Sequence, residues 1–205
     1  IPLETRILID RYPDSDDVSE DHRILYYDIE VEVTDGFPEP AQAENKITSI
    51  AFQTSHDGKS YVYVLGDKKD TEKNGAAVKF FRDEASLLQS FLRFWIDVKP
   101  TIISGWNIDQ FDTPYLYNRI TKVFGEEFAN ALSPIQQVRY NQNKKKYRIA
   151  GVSSLDYIEL YRKFTYVQRS SYRLDYIGQI EVDMGKVEYE GTLDQLLEND
   201  IDKFI

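Results

Sequence analysis

Between Leu25 and Val33 the chain alternates without a break. Leu25, Tyr27, Ile29, Val31 and Val33 fall on one side, and Tyr26, Asp28, Glu30 and Glu32 on the other. Period two marks a strand with one face in a core and one in water. Asp28 and Glu30, two residues apart, leave the same face of the sheet, while Ile29 and Val31 anchor the opposite face. Two carboxylates fixed that close repel each other, so they stay ionised only with a cation between them or with water around them. Mg²⁺ suits such a pair, because it takes hard oxygen ligands and keeps waters that a phosphate can displace. Glu32 continues the acidic row, which is equally the pattern of an amphipathic strand wetting its polar face. Both readings stand on this evidence.

The remaining pattern predicts a mixed α/β sheet with flanking helices. Strands are expected at Lys46–Thr54 and Tyr61–Leu65, joined through the turn His56-Asp57-Gly58. From Asp83 the period changes: Ala85, Leu88, Phe91, Leu92, Trp95 and Ile96 share a helical face, and Pro100 ends it. Thr101–Ser104 reads as a short buried strand, followed by a helix from about Asp112 to Phe124. Residues 136–150 read as a hairpin rich in Gln, Asn and Lys, and helices are expected at Ser154–Phe164, Tyr172–Glu181 and Thr192–Asn199. The first 23 residues read as a lead-in strand at Ile7–Ile9 and an acidic loop with Asp14, Asp16, Asp17, Glu20 and Asp21.

Composition narrows the chemistry. No Cys is present, which excludes disulfides, thiolate metal sites and cysteine nucleophiles. The sequence has no Gly-rich phosphate loop and no Asn-x-Ser/Thr sequon, and His22 and His56 sit in predicted loops without a partner motif. No apolar run reaches membrane-spanning length and no signal-peptide pattern opens the chain, so an intracellular protein without a membrane partner is expected. An opening at Ile1 without Met, and a stop at Ile205 within a helical pattern, are expected of a fragment. The net charge is −10, yet residues 133–173 hold nine Lys/Arg against two acids. That segment is +7 and the rest −17, a segregation suited to one acidic site and one basic surface. Carboxylates must carry any catalysis.

A second element follows the buried strand: Trp106-Asn107-Ile108-Asp109-Gln110-Phe111-Asp112. Asp112 reads either as a helix N-cap, with Pro114 two residues on, or as a ligand meeting the Asp28 strand.

Taken together, Tyr26-Tyr27-Asp28-Ile29-Glu30 and the later Asn107-x-x-x-Phe111-Asp112 resemble the first two exonuclease motifs of family B DNA polymerases. Ile103–Asn107, Pro114-Tyr115, Asn118–Ile120, Ser153–Phe164 and Ser171–Ile177 extend the likeness over almost the whole chain, with the T-even-type bacteriophage replicative enzymes nearest in pattern. The resemblance implies a ribonuclease-H-like 3′–5′ proofreading domain with an inserted β-hairpin. Two divalent ions, Mg²⁺ or Mn²⁺ about 3.5–4 Å apart, would stabilise the attacking and leaving oxygens. Asp28, Glu30 and Asp112 would be the catalytic metal ligands, and Asn107 and Phe111 would shape the nucleotide site. Phe37, in the loop Asp35–Pro40, is the candidate to stack on bases at the 3′ end, against the alternative of a lid folded on the core. Lys144, Lys145 and Lys146 of the hairpin would contact DNA phosphate or template. The implied partners are a single-stranded or frayed 3′ end of DNA, the remainder of the polymerase and, through it, a sliding clamp and other replisome proteins. The setting would be the cytoplasm of an infected bacterium if the chain is phage-encoded.

The family's third motif, Tyr-x-x-x-Asp, does not occur downstream of Asp112; a match at Tyr12…Asp16 precedes the first strand, in the wrong order. On this reading residues 1–23 lead in from a preceding N-terminal domain, and 24–205 form an exonuclease domain stopping short of its third motif, as a fragment or part of a split polymerase. Weak activity is expected of the chain as written. The rival is a non-catalytic DNA-binding or structural module that keeps the fold. Asp156 and Asp175 read as helix-capping or Arg-paired residues rather than substitute ligands.

Overall fold

The computed structural model describes residues 3–11, 21–33, 36–185, 187 and 189–205. The acidic loop residues Asp14, Asp16, Asp17 and Glu20, the Tyr12…Asp16 match and Asp35 lie outside them. In chain order the elements are α1 (Leu3–Arg11), β1 (Ile24–Val31), β2 (Ile47–Thr54), β3 (Ser60–Leu65), β4 (Thr71–Lys73), β5 (Ala76–Phe81), α2 (Glu84–Val98), β6 (Ile102–Gly105), α3 (Asp112–Phe124), α4 (Glu126–Asn130), β7 (Val138–Asn141), β8 (Lys146–Ile149), β9 (Ser153–Asp156), α5 (Tyr157–Phe164), α6 (Leu174–Val182), α7 (Leu193–Asn199) and α8 (Ile201–Phe204).

Seven strands form one mixed sheet in the order β4-β5-β3-β2-β1-β6-β9, and β7 and β8 form a separate hairpin. β1 runs antiparallel to β2 and parallel to β6, and β9 is the parallel edge strand beside β6. This is the expected ribonuclease-H-like mixed sheet with flanking helices and an inserted hairpin. The alternation of β1 holds: Leu25, Tyr27, Ile29 and Val31 are buried, while Tyr26 and Asp28 are exposed and Glu30 half-buried.

The core closes over that buried face. Helix α2 contributes Leu87, Leu88, Phe91, Leu92 and Trp95, all buried. Asp83 starts the helix by accepting the Ser86 N–H, and Lys99, in the left-handed region ahead of Pro100, ends it. The Phe52 ring meets Phe91 at 5.2 Å, Tyr63 at 4.9 Å and Phe94 at 4.7 Å between centroids. Each such pair adds about 0.5–1.5 kcal/mol beyond the burial of its area.

A buried ion pair sets the loop between β1 and β2. The Arg119 guanidinium grips Glu84 through two bonds of 2.8 and 2.7 Å and donates to the carbonyls of Ala43 and Glu44. Glu84 in turn accepts the Ile47 N–H at 2.7 Å. Helix α3 adds two side chains to the same loop: the Tyr115 hydroxyl bonds to the Asn45 carbonyl, and the Asn118 amide donates to the Pro40 carbonyl.

Several expectations change. Ile7–Ile9, read as a lead-in strand, lies within the exposed helix Leu3–Arg11; Leu3, Ile7 and Leu8 fit helical spacing, which the short run concealed. Ser154–Asp156, read as the start of a helix, belongs to edge strand β9, and the helix begins only at Tyr157. β4, β5 and the short helix α4 were not expected. β4 and α4 are too short for a period to declare itself, and β5, Ala76-Ala77-Val78-Lys79-Phe80-Phe81, carries no clear alternation.

Candidate active site

β6 ends at Gly105, and its pairing with β1 stops where Ser104 faces Tyr26. Further along β1, the Ile29 N–H therefore has no strand partner on that side. Asp112, the first residue of α3, supplies one: its Oδ1 accepts the Ile29 N–H at 3.0 Å. The capping alternative is not what the side chain does, since Phe111 holds the cap position and makes no side-chain cap bond.

The crossing is possible because the chain between β6 and α3 turns tightly. A Cβ on Gly105 would stand 2.6 Å from the Tyr27 carbonyl oxygen and 2.5 Å from Ile108, so only glycine lets β6 exit there. Asn107 takes the left-handed conformation, φ +67°, one that Asn tolerates better than most residues. Its carbonyl accepts the N–H groups of Gln110 and Phe111.

Asp112 is 3 % exposed. Burial, then the charge of Asp28, and further on that of Glu30, push its carboxyl up to about 8 against the pull of the Ile29 N–H. The three carboxylates picked out in the sequence are thus electrostatically coupled around β1. Next to them, the Tyr27 hydroxyl pairs with the Thr113 hydroxyl at 2.6 Å. Burial and the charge of Asp112 hold that phenol well above its ordinary range.

Asp28 and Glu30 also line a small cavity of 130 Å³, together with Ser49 on β2 and Leu193, Phe204 and Ile205 from the C-terminal helices. Asp194 accepts the Val33 N–H at 2.8 Å, tying α7 to the chain two residues beyond the end of that strand. This cover over the acidic face was not foreseen, because nothing local in the sequence of α7 refers to β1.

Phe37 stays 80 % exposed, with its ring 5.4 Å from that of Phe111, which leans in turn on Tyr115. It is neither a lid on the core nor a free side chain, but the outer ring of a short aromatic ledge beside Asp112. Asn107 is half-buried.

The hairpin carries Lys144 and Lys145 at its exposed turn. Lys146, grouped with them by sequence, has a different partner: its ammonium reaches Asp109 at 2.6 Å. Between hairpin and edge strand β9 runs a groove of about 670 Å³ lined by Lys144, Lys146, Arg148 and Ser154. Asp156, a residue read as a capping acid, does cap α5 through the Ile158 N–H, and also accepts the N–H groups of Asn107 and Asp109. Burial nonetheless holds its pKa above the ordinary carboxylate range. Asp175 lies exposed in the first turn of α6.

Residues 4–177 match the model of the DNA polymerase family B exonuclease domain. The chain belongs to this family. It is 36 % identical over 213 aligned residues to the DNA-directed DNA polymerase of Escherichia phage RB69, covering 89 % of this chain and 24 % of that protein. The DNA-directed DNA polymerase of Enterobacteria phage T4 is 32 % identical over the same shares. The DNA polymerase delta catalytic subunit of Dictyostelium discoideum is 31 % identical over 62 % of this chain and 12 % of its own length. The exonuclease domain thus spans about a quarter of the length of its phage relatives.

Family B exonuclease domains work with divalent metal ions. Here the donor chemistry fits: hard carboxylate oxygens, with one, on Asp112, disfavoured as an anion until positive charge arrives. Among the described residues no group of three or more His, Asp or Glu forms a ready-made cage. Nor is any described helix long and apolar enough to cross a membrane.

Proposed function

We propose that the domain hydrolyses the 3′-terminal phosphodiester of DNA in the 3′–5′ direction, as a proofreading activity, with divalent ions held by Asp28, Glu30 and Asp112. The observation that carries this reading is the Asp112 carboxyl, fixed on the Ile29 N–H and opposed by the charges of Asp28 and Glu30. Bound Mg²⁺ or Mn²⁺, two ions in the complete site, would supply charge stabilisation for the attacking and leaving oxygens.

The chain's own residues do the rest. The Ile29 N–H keeps Asp112 aimed across β1. Phe37 and Phe111 offer a sequence-tolerant ledge for the terminal base, and Asn107 borders the nucleotide. Lys144 and Lys145 meet phosphates without reading sequence. Selectivity for mismatched ends comes from fraying, since an unpaired 3′ base leaves the duplex more cheaply. The partners on this reading are the remainder of a DNA polymerase and, through it, a sliding clamp, inside the host cell.

The test is nucleotide release from single-stranded DNA labelled at either end, with Mg²⁺ or Mn²⁺, for the chain and for Asp28→Ala, Glu30→Ala and Asp112→Ala. Slow, ion-dependent release from the 3′ end, lost in all three variants, is the expected result. Binding of DNA with no release under any ion would favour the non-catalytic module instead.

A further inference from the structure

Two neighbours on β8 reach into the second motif. Lys146 pairs with Asp109 at 2.6 Å, and the Tyr147 hydroxyl donates to the Asn118 side-chain oxygen at 2.7 Å. Asp109 is 4 % exposed, and its other oxygen accepts the Ser154 hydroxyl at 2.6 Å. The loop that carries Asn107 and leads to Asp112 is therefore held by β9 from one side and by the hairpin from the other. Asn118 lies six residues beyond Asp112 on α3, about 9 Å along the axis. Its amide spans two elements: the oxygen takes Tyr147, and the nitrogen donates to Pro40 at 2.8 Å, in the loop that carries Phe37. The Tyr147 ring also packs on Tyr117 at 4.7 Å.

We propose that Lys146 and Tyr147 are positioning residues, which fasten the hairpin to the Asp109–Asn118 segment and through it align the Phe37–Phe111 ledge with a DNA 3′ end. The proposal rests on the 3′-end reading above. A lysine paired with a buried acid is poorly placed to neutralise phosphate as well, whereas Lys144 and Lys145 stay exposed at the turn. The hairpin then has two separable jobs: the turn supplies affinity, and β8 supplies alignment. Load on the turn is transmitted to α3 through Asp109 and Asn118.

The experiment uses the whole chain with a single-stranded oligonucleotide carrying 2-aminopurine at its 3′ end, in Ca²⁺. Affinity is read by anisotropy, and placement of the terminal base by fluorescence intensity. Tyr147→Phe keeps the ring and removes only the hydroxyl. It should lose at least half of the intensity change on binding, while Kd weakens by no more than about tenfold, the share of a single loosened base stack. Lys146→Met should do the same and Lys146→Arg should restore the signal. Lys144→Ala with Lys145→Ala should weaken Kd and leave the intensity change intact. In the free protein, hydrogen exchange at residues 107–113 should quicken in Tyr147→Phe and Lys146→Met and be restored in Lys146→Arg, with β2 unaffected.

An unchanged intensity in Lys146→Met, with weaker Kd and a salt slope shallower by about 0.7, would make Lys146 a phosphate contact and overturn the proposal. Failure of the unaltered chain to bind the oligonucleotide would sink the 3′-end reading alone. Unchanged exchange in Tyr147→Phe would sink the positioning role alone.

Discussion

The Asp112 carboxylate takes the Ile29 N–H that β6, ending at Gly105, leaves without a strand partner. One oxygen thereby completes the sheet's hydrogen bonding and brings a third acid to the strand that carries Asp28 and Glu30.

That position has a pH signature in the metal-free protein. The folded-state pKa of Asp112, about 8, lies above its ordinary value of 3.8. Between those values the folded chain holds a proton that the unfolded chain has released. Its contribution to stability is complete below the ordinary value and is lost as pH rises toward 8, with a slope of at most about 1.4 kcal/mol per pH unit. Asp112→Asn should flatten this dependence and be the more stable protein at pH 8. Urea unfolding at pH 5, 6.5 and 8 with chelator checks it, and identical slopes for both proteins would contradict it.

Divalent ions should reverse the same balance. At pH 7 most Asp112 carboxyls carry a proton, which an ion must displace, so binding should release about one proton. Titration calorimetry in two buffers of different ionisation enthalpy measures this directly. Asp28→Ala should weaken binding, and Asp112→Asn should abolish the proton release.

Phe37 separates binding from folding. With its ring largely in solvent, Phe37→Ala should leave the melting temperature unchanged. Loss of one stacked base should weaken single-strand binding by about 1–3 kcal/mol. A fall in melting temperature with unaltered affinity would mean that the ring serves the loop rather than the substrate.

Salt dependence tests the hairpin turn. Replacing Lys144 and Lys145 with Ala should reduce the slope of log affinity against log salt by about 1.4, two phosphates' worth for a single strand. Anisotropy at four salt concentrations is sufficient, and an unchanged slope would make both lysines bystanders.

Much of this architecture was legible in the residues themselves. The alternation from Leu25 gave β1 and its acidic face as far as Val31, beyond which Val33, read on the core side, is exposed, and the spacing from Asp83 to Pro100 gave α2. The motifs pointed to Asp112, but its bond to Ile29 depends on where β6 stops, which no local pattern records. β9 was missed because four residues show only two per face. Lys146 could not be told from Lys144 and Lys145, because its partner Asp109 lies 37 residues away. The bond between Asn118 and Tyr147 gave no signal, because it exists only once the hairpin folds back on α3.

The Arg119–Glu84 pair has a kinetic consequence. Its two residues and the carbonyls they hold come from α3, α2 and the loop before β2, so the charges can bury only after all three have docked. Removing one partner would strand a buried charge, at a cost of about 3–5 kcal/mol. A contact that needs all three in place is expected to form late, so that cost should fall mainly on the unfolding rate while refolding keeps its speed. On that expectation the clamp is a latch on a finished structure, lengthening the lifetime of the loop that carries Phe37 without guiding the chain toward it.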